Sequence, residues 1–419
     1  MMIISNTIKD NFTFSNLKII NFVSILIFFF PTAIITGPFL PDLILSTIAL
    51  IGLIIYLKKQ IKIIFYKEIL FLWAFYCFSI IASLISKNII FSLDYSLFYF
   101  RFIIFSHFMV YLFINYPKLK ILFLQGIFFS LCLISIYSLI QLILFLNMDF
   151  VDGIRRLRLL FSDEEVVGSF IVRILPIFCF FAYLNKDLFK SKLLKLLLVV
   201  TLLSSIFFIL YSGERTALIL LLIFIFLYFL IFFKFYIKLS LIFLFSIILF
   251  ITTNIILNQN LYDRTLQDLD RNISMDPEVN PYLNYSYVSL EMFKNSPIIG
   301  KGPKMFRVYC PDEKYNDFKS ICNIHPHSLY IQLLGEMGII GFIFLLSAFI
   351  YVILIFFKNL FSKNPNILFL LASIGFIINF FPLIPSGNFF NNWINNLYYL
   401  SIIVIIYSMN VSKKSYKKI

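Results

Sequence analysis

The chain has 419 residues, of which 61% are hydrophobic and 13% charged, and its mean hydropathy is +0.94. These values exclude a soluble globular protein and leave a multi-pass membrane protein. The net charge of +14 is explained by where the charges fall along the spans, so it is not the footprint of a nucleic-acid partner.

A bilayer crossing takes about 20 apolar residues. Runs of that kind predict about 12 membrane helices, at roughly 17–36, 39–57, 69–86, 99–115, 121–145, 167–184, 193–211, 216–233, 239–256, 339–357, 367–383 and 395–411. No small-residue cleavage site follows the first run, so that run is expected to stay as the first span.

Short cytoplasmic loops retain lysine and arginine during insertion. Placing both termini in the cytoplasm puts 20 basic and 3 acidic residues inside, against 15 basic and 18 acidic residues outside. The inside set is all lysine, and all nine arginines fall outside. Arginine's planar fork grips phosphate with paired hydrogen bonds, whereas lysine acts as a point charge. The outer face is therefore expected to handle a phosphorylated substrate, with arginines snorkelling at the interface as the alternative.

Cys77, Cys132 and Cys179 fall in predicted spans and are expected to pack. Cys310 and Cys322 lie in the outer loop, where an oxidising compartment permits a disulfide.

Organisation follows the hydropathy: spans one to nine over 1–256, one large outer loop with a histidine-bearing helix over 257–338, and three spans with a tail over 339–419. Loops as long as 257–326 without a role are uncommon. Within this one, YSYVSLEMF predicts an amphipathic turn or two, broken by Asn295-Ser296-Pro297 and by Gly300 and Gly302. The short outer segment 146–168 carries Arg155, Arg156 and Arg158 before Asp163-Glu164-Glu165, and PSGNFFNNWINN at 385–396 suits either sugar rings or the membrane interface. Asp268-Leu269-Asp270 is expected to be a solvated acidic loop, and Glu336 to pair structurally.

The chemistry concentrates near NIHPHSLYIQLLGEMGIIGF, residues 323–342, which holds two of the three histidines. His327-Ser328 is followed by nine residues and then Gly338-Ile339-Ile340-Gly341, so a polar group heads a helix whose glycines permit close packing. This pattern resembles the O-antigen ligase and O-antigen polymerase superfamily, in which a histidine followed by Asn, Ser or Gln, nine residues and Gly-x-x-Gly ends the large periplasmic loop. SGERTALILLLIFIFL at 212–227 and MFKNSPIIGKGPKMF at 292–306 resemble two further motifs of that superfamily, and the motif arginine falls on Arg215.

The resemblance implies an all-α, GT-C-like enzyme of the bacterial inner membrane with its active site on the periplasmic face. It would take a glycan from an undecaprenyl-pyrophosphate donor and pass it to a glycolipid or carrier-linked acceptor hydroxyl, inverting the anomeric carbon with no metal or cofactor. A ligase uses lipid A-core as acceptor and a polymerase uses another carrier-linked repeat. A transporter or flippase is the reading from another class, favoured by midplane charges in related halves, whereas polar residues here crowd one face.

A sugar hydroxyl needs a base, and imidazole suits neutral pH. His327 is therefore the expected catalytic residue. A departing pyrophosphate needs fixed cations. Arg215 leads, followed by Arg173, which is costly inside a span unless it faces a polar cavity or a partner, and Arg307, Arg264 and His325 complete the expected substrate-binding set. The superfamily has a second loop arginine where this chain carries Tyr282, Asn284 and Tyr285. Arg264, Arg271 or Arg307 are candidates to replace it.

Overall fold

The structure is a computed structural model, and it describes residues 14–59, 66–146, 157–160, 165–233, 236–257, 274–316 and 322–416. Every regular element among these residues is helical. In chain order they are α1 (Phe14–Ile34), α2 (Phe39–Leu57), α3 (Lys67–Leu84), α4 (Ile89–Ser96), α5 (Phe100–Asn115), α6 (Pro117–Leu146), α7 (Val167–Leu184), α8 (Lys192–Tyr211), α9 (Arg215–Phe233) and α10 (Ile237–Leu257). Beyond the large loop come α11 (Pro281–Asn295), α12 (Phe306–Tyr309), α13 (Leu329–Leu360), α14 (Ile367–Asn379) and α15 (Asn392–Tyr416).

Among the described residues nine stretches are long and apolar enough to cross a membrane, and three shorter apolar helices lie at Lys18–Ile34, Ser240–Asn254 and Ile367–Asn379. Together they coincide with the expected apolar runs. The run at 367–383 is cut short, because the helix ends at Asn379 and the chain turns. Two elements differ from expectation. The amphipathic turn or two is a full helix, α11, started by Pro281 and by Asn280, whose side chain accepts from the Tyr282 and Leu283 N–H groups. The helix α4 was not anticipated; Asn88 caps it by accepting from the Phe91 N–H at 3.2 Å.

Side-chain contacts fix the relative direction of neighbouring spans. Arg101 of α5 binds Asp42 of α2 at 2.8 Å, and further along the same two helices the Tyr56 ring stacks on His107, so α2 and α5 run parallel. Phe102 meets Tyr399 and Phe113 meets Tyr407, which sets α15 parallel to α5. One end of the bundle thus gathers Asp42, Arg101, the Ser86–Ser92 turn, the starts of α7, α9 and α13, and the 380–391 loop; it is called the outer end below. α7, α14 and α15 are mostly enclosed, whereas α3, α8 and α13 turn much of their surface outward. That exposure is the expected state of apolar side chains facing lipid.

Between α3, α13, α14 and α15 lies a cavity of about 600 Å³, reaching from Lys67 and Glu68 at one end to Phe389 and Asn395 at the outer end. Its walls are largely apolar and rich in aromatic rings, including Phe75, Phe344, Phe376 and Tyr398.

Candidate functional site

The loop before α13 and the helix itself interlock through glycine. At Gly338 the backbone leaves helical geometry, with φ 63° and ψ −166°, a region occupied essentially only by glycine. Breaking the helix there frees the carbonyls of the preceding turn. The loop takes them: the Lys301 N–H donates to the Gly335 carbonyl at 3.2 Å and the Gly302 N–H to the Glu336 carbonyl at 2.7 Å, while the Ile339 N–H turns to the Pro297 carbonyl at 2.8 Å. The PIIGKG and GIIG stretches are therefore one structural unit. Glu336 reinforces it from inside the helix, accepting from the Phe306 N–H at 3.1 Å and from Gln332 Nε2 at 2.9 Å. On the far side Ser92 of α4 donates to the Pro303 carbonyl at 3.1 Å. Both expected features, the structural pairing of Glu336 and the close packing at the glycines, are present.

This framework holds His327 in the turn that precedes α13. Its φ of 56° is uncommon for a residue with a side chain. The Ser386 N–H donates to the His327 carbonyl at 2.8 Å, and the Leu329 N–H donates to Ser386 Oγ at 3.1 Å, so the last outer loop caps the helix. Asn323 Oδ1 accepts from the Ile324 N–H at 2.6 Å, which leaves the Asn323 amide nitrogen to donate to His327 Nε2 at 2.9 Å. Nε2 is therefore unprotonated, its lone pair accepting from the amide. Burial holds the His327 imidazole below its ordinary value of 6.5, so the ring is neutral and basic at pH 7. The His325 ring lies 4.1 Å away and the Tyr282 and Tyr285 rings at 5.6 and 5.9 Å. Aromatic faces thus stand where the superfamily's second loop arginine was sought.

A second set of cations reaches the histidines from the interlocked loop. Arg307 lies between the Phe91 and Tyr95 rings of α4, 5.8 Å from each centroid. Lys304, which the sequence reading counted only as charge, is 7% exposed and sits 3.9 Å over the Tyr95 ring. Burial and Arg307 push Lys304 down to about 8, against the pull of Glu336. Burial, the His327 ring, Lys304 and Arg307 together push His325 down to about 3.

Arg173 and Arg215 lie at the same end against other helices. Arg173, the seventh residue of α7, is 3% exposed and donates to the Ser169 carbonyl at 3.1 Å. Its polar company is Glu214 and Tyr398, which answers the requirement that a buried span arginine have a partner. Glu214 caps α7 by accepting from the Gly168 and Ser169 N–H groups, and burial raises its carboxyl to about 7. The half-buried Arg215 follows Glu214 and opens α9. Tyr398 connects this cluster to the histidine turn: its ring packs 4.9 Å from Phe380, whose carbonyl accepts from the Tyr330 hydroxyl at 2.8 Å.

Of the expected site residues, the structure sets His325 beside His327 and Arg307 within reach of His325, and it places Arg173 by Glu214 and Tyr398, with Arg215 next in the chain after Glu214. Arg264, with Arg155, Arg156, Arg271, Asp268 and Asp270, lies outside the described residues. The Asn and aromatic residues of 385–396 serve the loop's own bonding: Tyr99 donates to Asn395 Oδ1 at 2.9 Å and Trp393 Nε1 to the Ile34 carbonyl at 2.8 Å. Cys310 and Cys322 form the disulfide.

Residues 197–346 match the family model described as O-Antigen ligase. This segment is similar to the O-antigen ligase family. No curated protein matches the chain. The matched segment contains the Glu214–Arg215 turn, the interlocked loop and both outer histidines, while Arg173, Tyr398 and Ser386 are contributed from outside it. The family supports a membrane enzyme of the ligase or polymerase type acting on lipid-linked glycans.

Proposed function

We propose that the protein is an integral-membrane glycosyltransferase of GT-C-like architecture with about twelve spans, its outer end on the periplasmic face of a bacterial inner membrane and both termini in the cytoplasm. It moves a glycan from undecaprenyl pyrophosphate to an acceptor hydroxyl, as an O-antigen ligase with a lipid A-core acceptor. The observation that carries this reading is His327, a neutral imidazole whose Nε2 lone pair is held by the Asn323 amide, at the junction of two family motifs.

In the reaction the acceptor hydroxyl displaces Asn323 and gives its proton to His327 Nε2. The acceptor oxygen bonds to the anomeric carbon as the bond from that carbon to the phosphate oxygen breaks, and undecaprenyl pyrophosphate leaves with the electron pair. Attack and departure on opposite faces invert the centre. Arg215 and Arg173 are fixed positive groups for the developing charge, and such groups act most strongly where water is excluded. The aromatic cavity below the site suits a polyprenyl chain. The disulfide is consistent with an exported outer end.

Transfer of labelled glycan by the purified protein in detergent tests the reading. His327→Ala and Arg215→Ala are expected to abolish transfer while inserting normally; full activity in both rejects it. A repeat-unit polymerase shares this chemistry and differs in acceptor. Mass spectrometry of envelope glycolipids separates the two, since loss of a ligase leaves lipid-linked polymer and loss of a polymerase leaves core carrying a single repeat.

A further inference from the structure

Two cationic clusters flank the histidine turn, and they stand on different helices. Arg173 belongs to α7 and meets Glu214 and Tyr398 of α15, and Arg215 follows Glu214 at the start of α9. Lys304 and Arg307 belong to the loop that Glu336 and Ser92 clamp between α13 and α4. An ammonium buried to 7% exposure is costly to hold, and this one is kept beside a guanidinium of like charge. Among the described residues its compensation comes from the Tyr95 face and from the Glu336 carboxylate, which already accepts from Gln332 and from the Phe306 and Lys304 N–H groups. Among the described residues Arg307 Nε is also buried with no hydrogen-bond acceptor. The backbone at Lys304 is left-handed, φ 59°, a conformation glycine takes freely and lysine does not. These costs are borne at a cluster whose field reaches His325 directly.

We propose that Lys304 and Arg307 form a second anion site, walled by Phe91 and Tyr95, that receives a phosphate group carried by the acceptor. The assignment to the acceptor rests on the function proposed above. In an inverting displacement the nucleophile and the leaving group stand on opposite faces of the anomeric carbon. Cations grouped with the base are therefore on the nucleophile's side, and the leaving pyrophosphate belongs to the other cluster.

The test uses the purified full-length protein in detergent with inorganic pyrophosphate as probe, followed by calorimetry. In an Arg215→Gln background one pyrophosphate per chain still binds, and Lys304→Gly with Arg307→Gln weakens that binding at least tenfold. Glycine suits the backbone at 304, and an unchanged melting temperature confirms folding; Arg307→Lys, which keeps the charge, retains most of the binding. At pH 8.5 the wild-type site takes up a proton as it binds, because the anion raises the Lys304 ammonium from about 8, and Lys304→Gly abolishes that uptake. Pyrophosphate affinity unchanged in the folded double variant overturns the site. These readings hold or fail whether or not His327→Ala is inactive, so they are separable from the proposed transfer reaction. In steady-state transfer the double variant raises KM for the acceptor at least tenfold and leaves KM for the lipid-linked donor unchanged; a rise confined to the donor overturns the acceptor assignment.

Discussion

Gly300 and Gly338 meet backbone to backbone. A Cβ on Gly300 would lie 2.5 Å from the Gly338 nitrogen, and one on Gly338 would lie 2.7 Å from the Gly300 nitrogen and 2.4 Å from the Ile298 carbonyl oxygen. Gly338→Ala adds this clash to a backbone strain of about 1–3 kcal/mol. It is expected to free the 297–306 loop from α13 while the spans insert normally. Limited proteolysis of the outer loop should accelerate and transfer should fall; an unchanged cleavage pattern argues against the interlock.

The pH profile of transfer reports the base. Burial holds His327 below 6.5, and the base acts when unprotonated, so kcat/KM should stay level through neutrality and fall only as pH drops through a value under 6.5. Asn323→Ala removes a donor to the neutral ring and should move that acid limb upward, with the largest change in kcat. An acid limb above 7 in the wild type would contradict the buried neutral imidazole.

Glu214 predicts a pH effect on stability instead of on rate. Its folded value, raised to about 7, stands above the ordinary 4.5, so the folded state binds the proton more tightly than the unfolded one. The resulting stabilisation is complete below pH 4.5 and is lost as pH rises through 7. Glu214→Gln keeps an oxygen for the Gly168 and Ser169 N–H groups and should flatten the slope of melting temperature over that window. A slope identical in both proteins would place the titration elsewhere.

The Cys310–Cys322 link closes a short loop beside α12, with Cys310 buried among Tyr285, Met305, Phe306 and Tyr309. Cys322→Ser, or reduction, should cost the outer subdomain about 2–4 kcal/mol. Hydrogen exchange in 281–316 should rise while exchange in α7 and α15 stays constant.

How much was legible follows from which forces are local. Apolar runs needed for bilayer crossing are contiguous, so the spans stand out in the chain, as do the glycines of 300–341, whose backbone demands no other residue meets. Arg215 and His327 were visible because each sits in a short motif. Lys304 was hidden: nothing local distinguishes it from a solvated loop lysine, and its burial depends on Tyr95, some two hundred positions away. The Arg173–Tyr398 pairing and the capping of α13 by Ser386 are equally remote in sequence. The short helix α4 lacks the length that betrays a span, and it follows α3 within a few residues.

The amide of Asn323 rests on the one lone pair the chemistry requires. A transferase that stores an energy-rich donor beside water risks spending it on hydrolysis, and an imidazole already engaged by its own loop offers a stray water molecule no proton acceptor. Only a hydroxyl held firmly enough to push the amide aside gains access, so the resting protein would be guarded against wasting its donor.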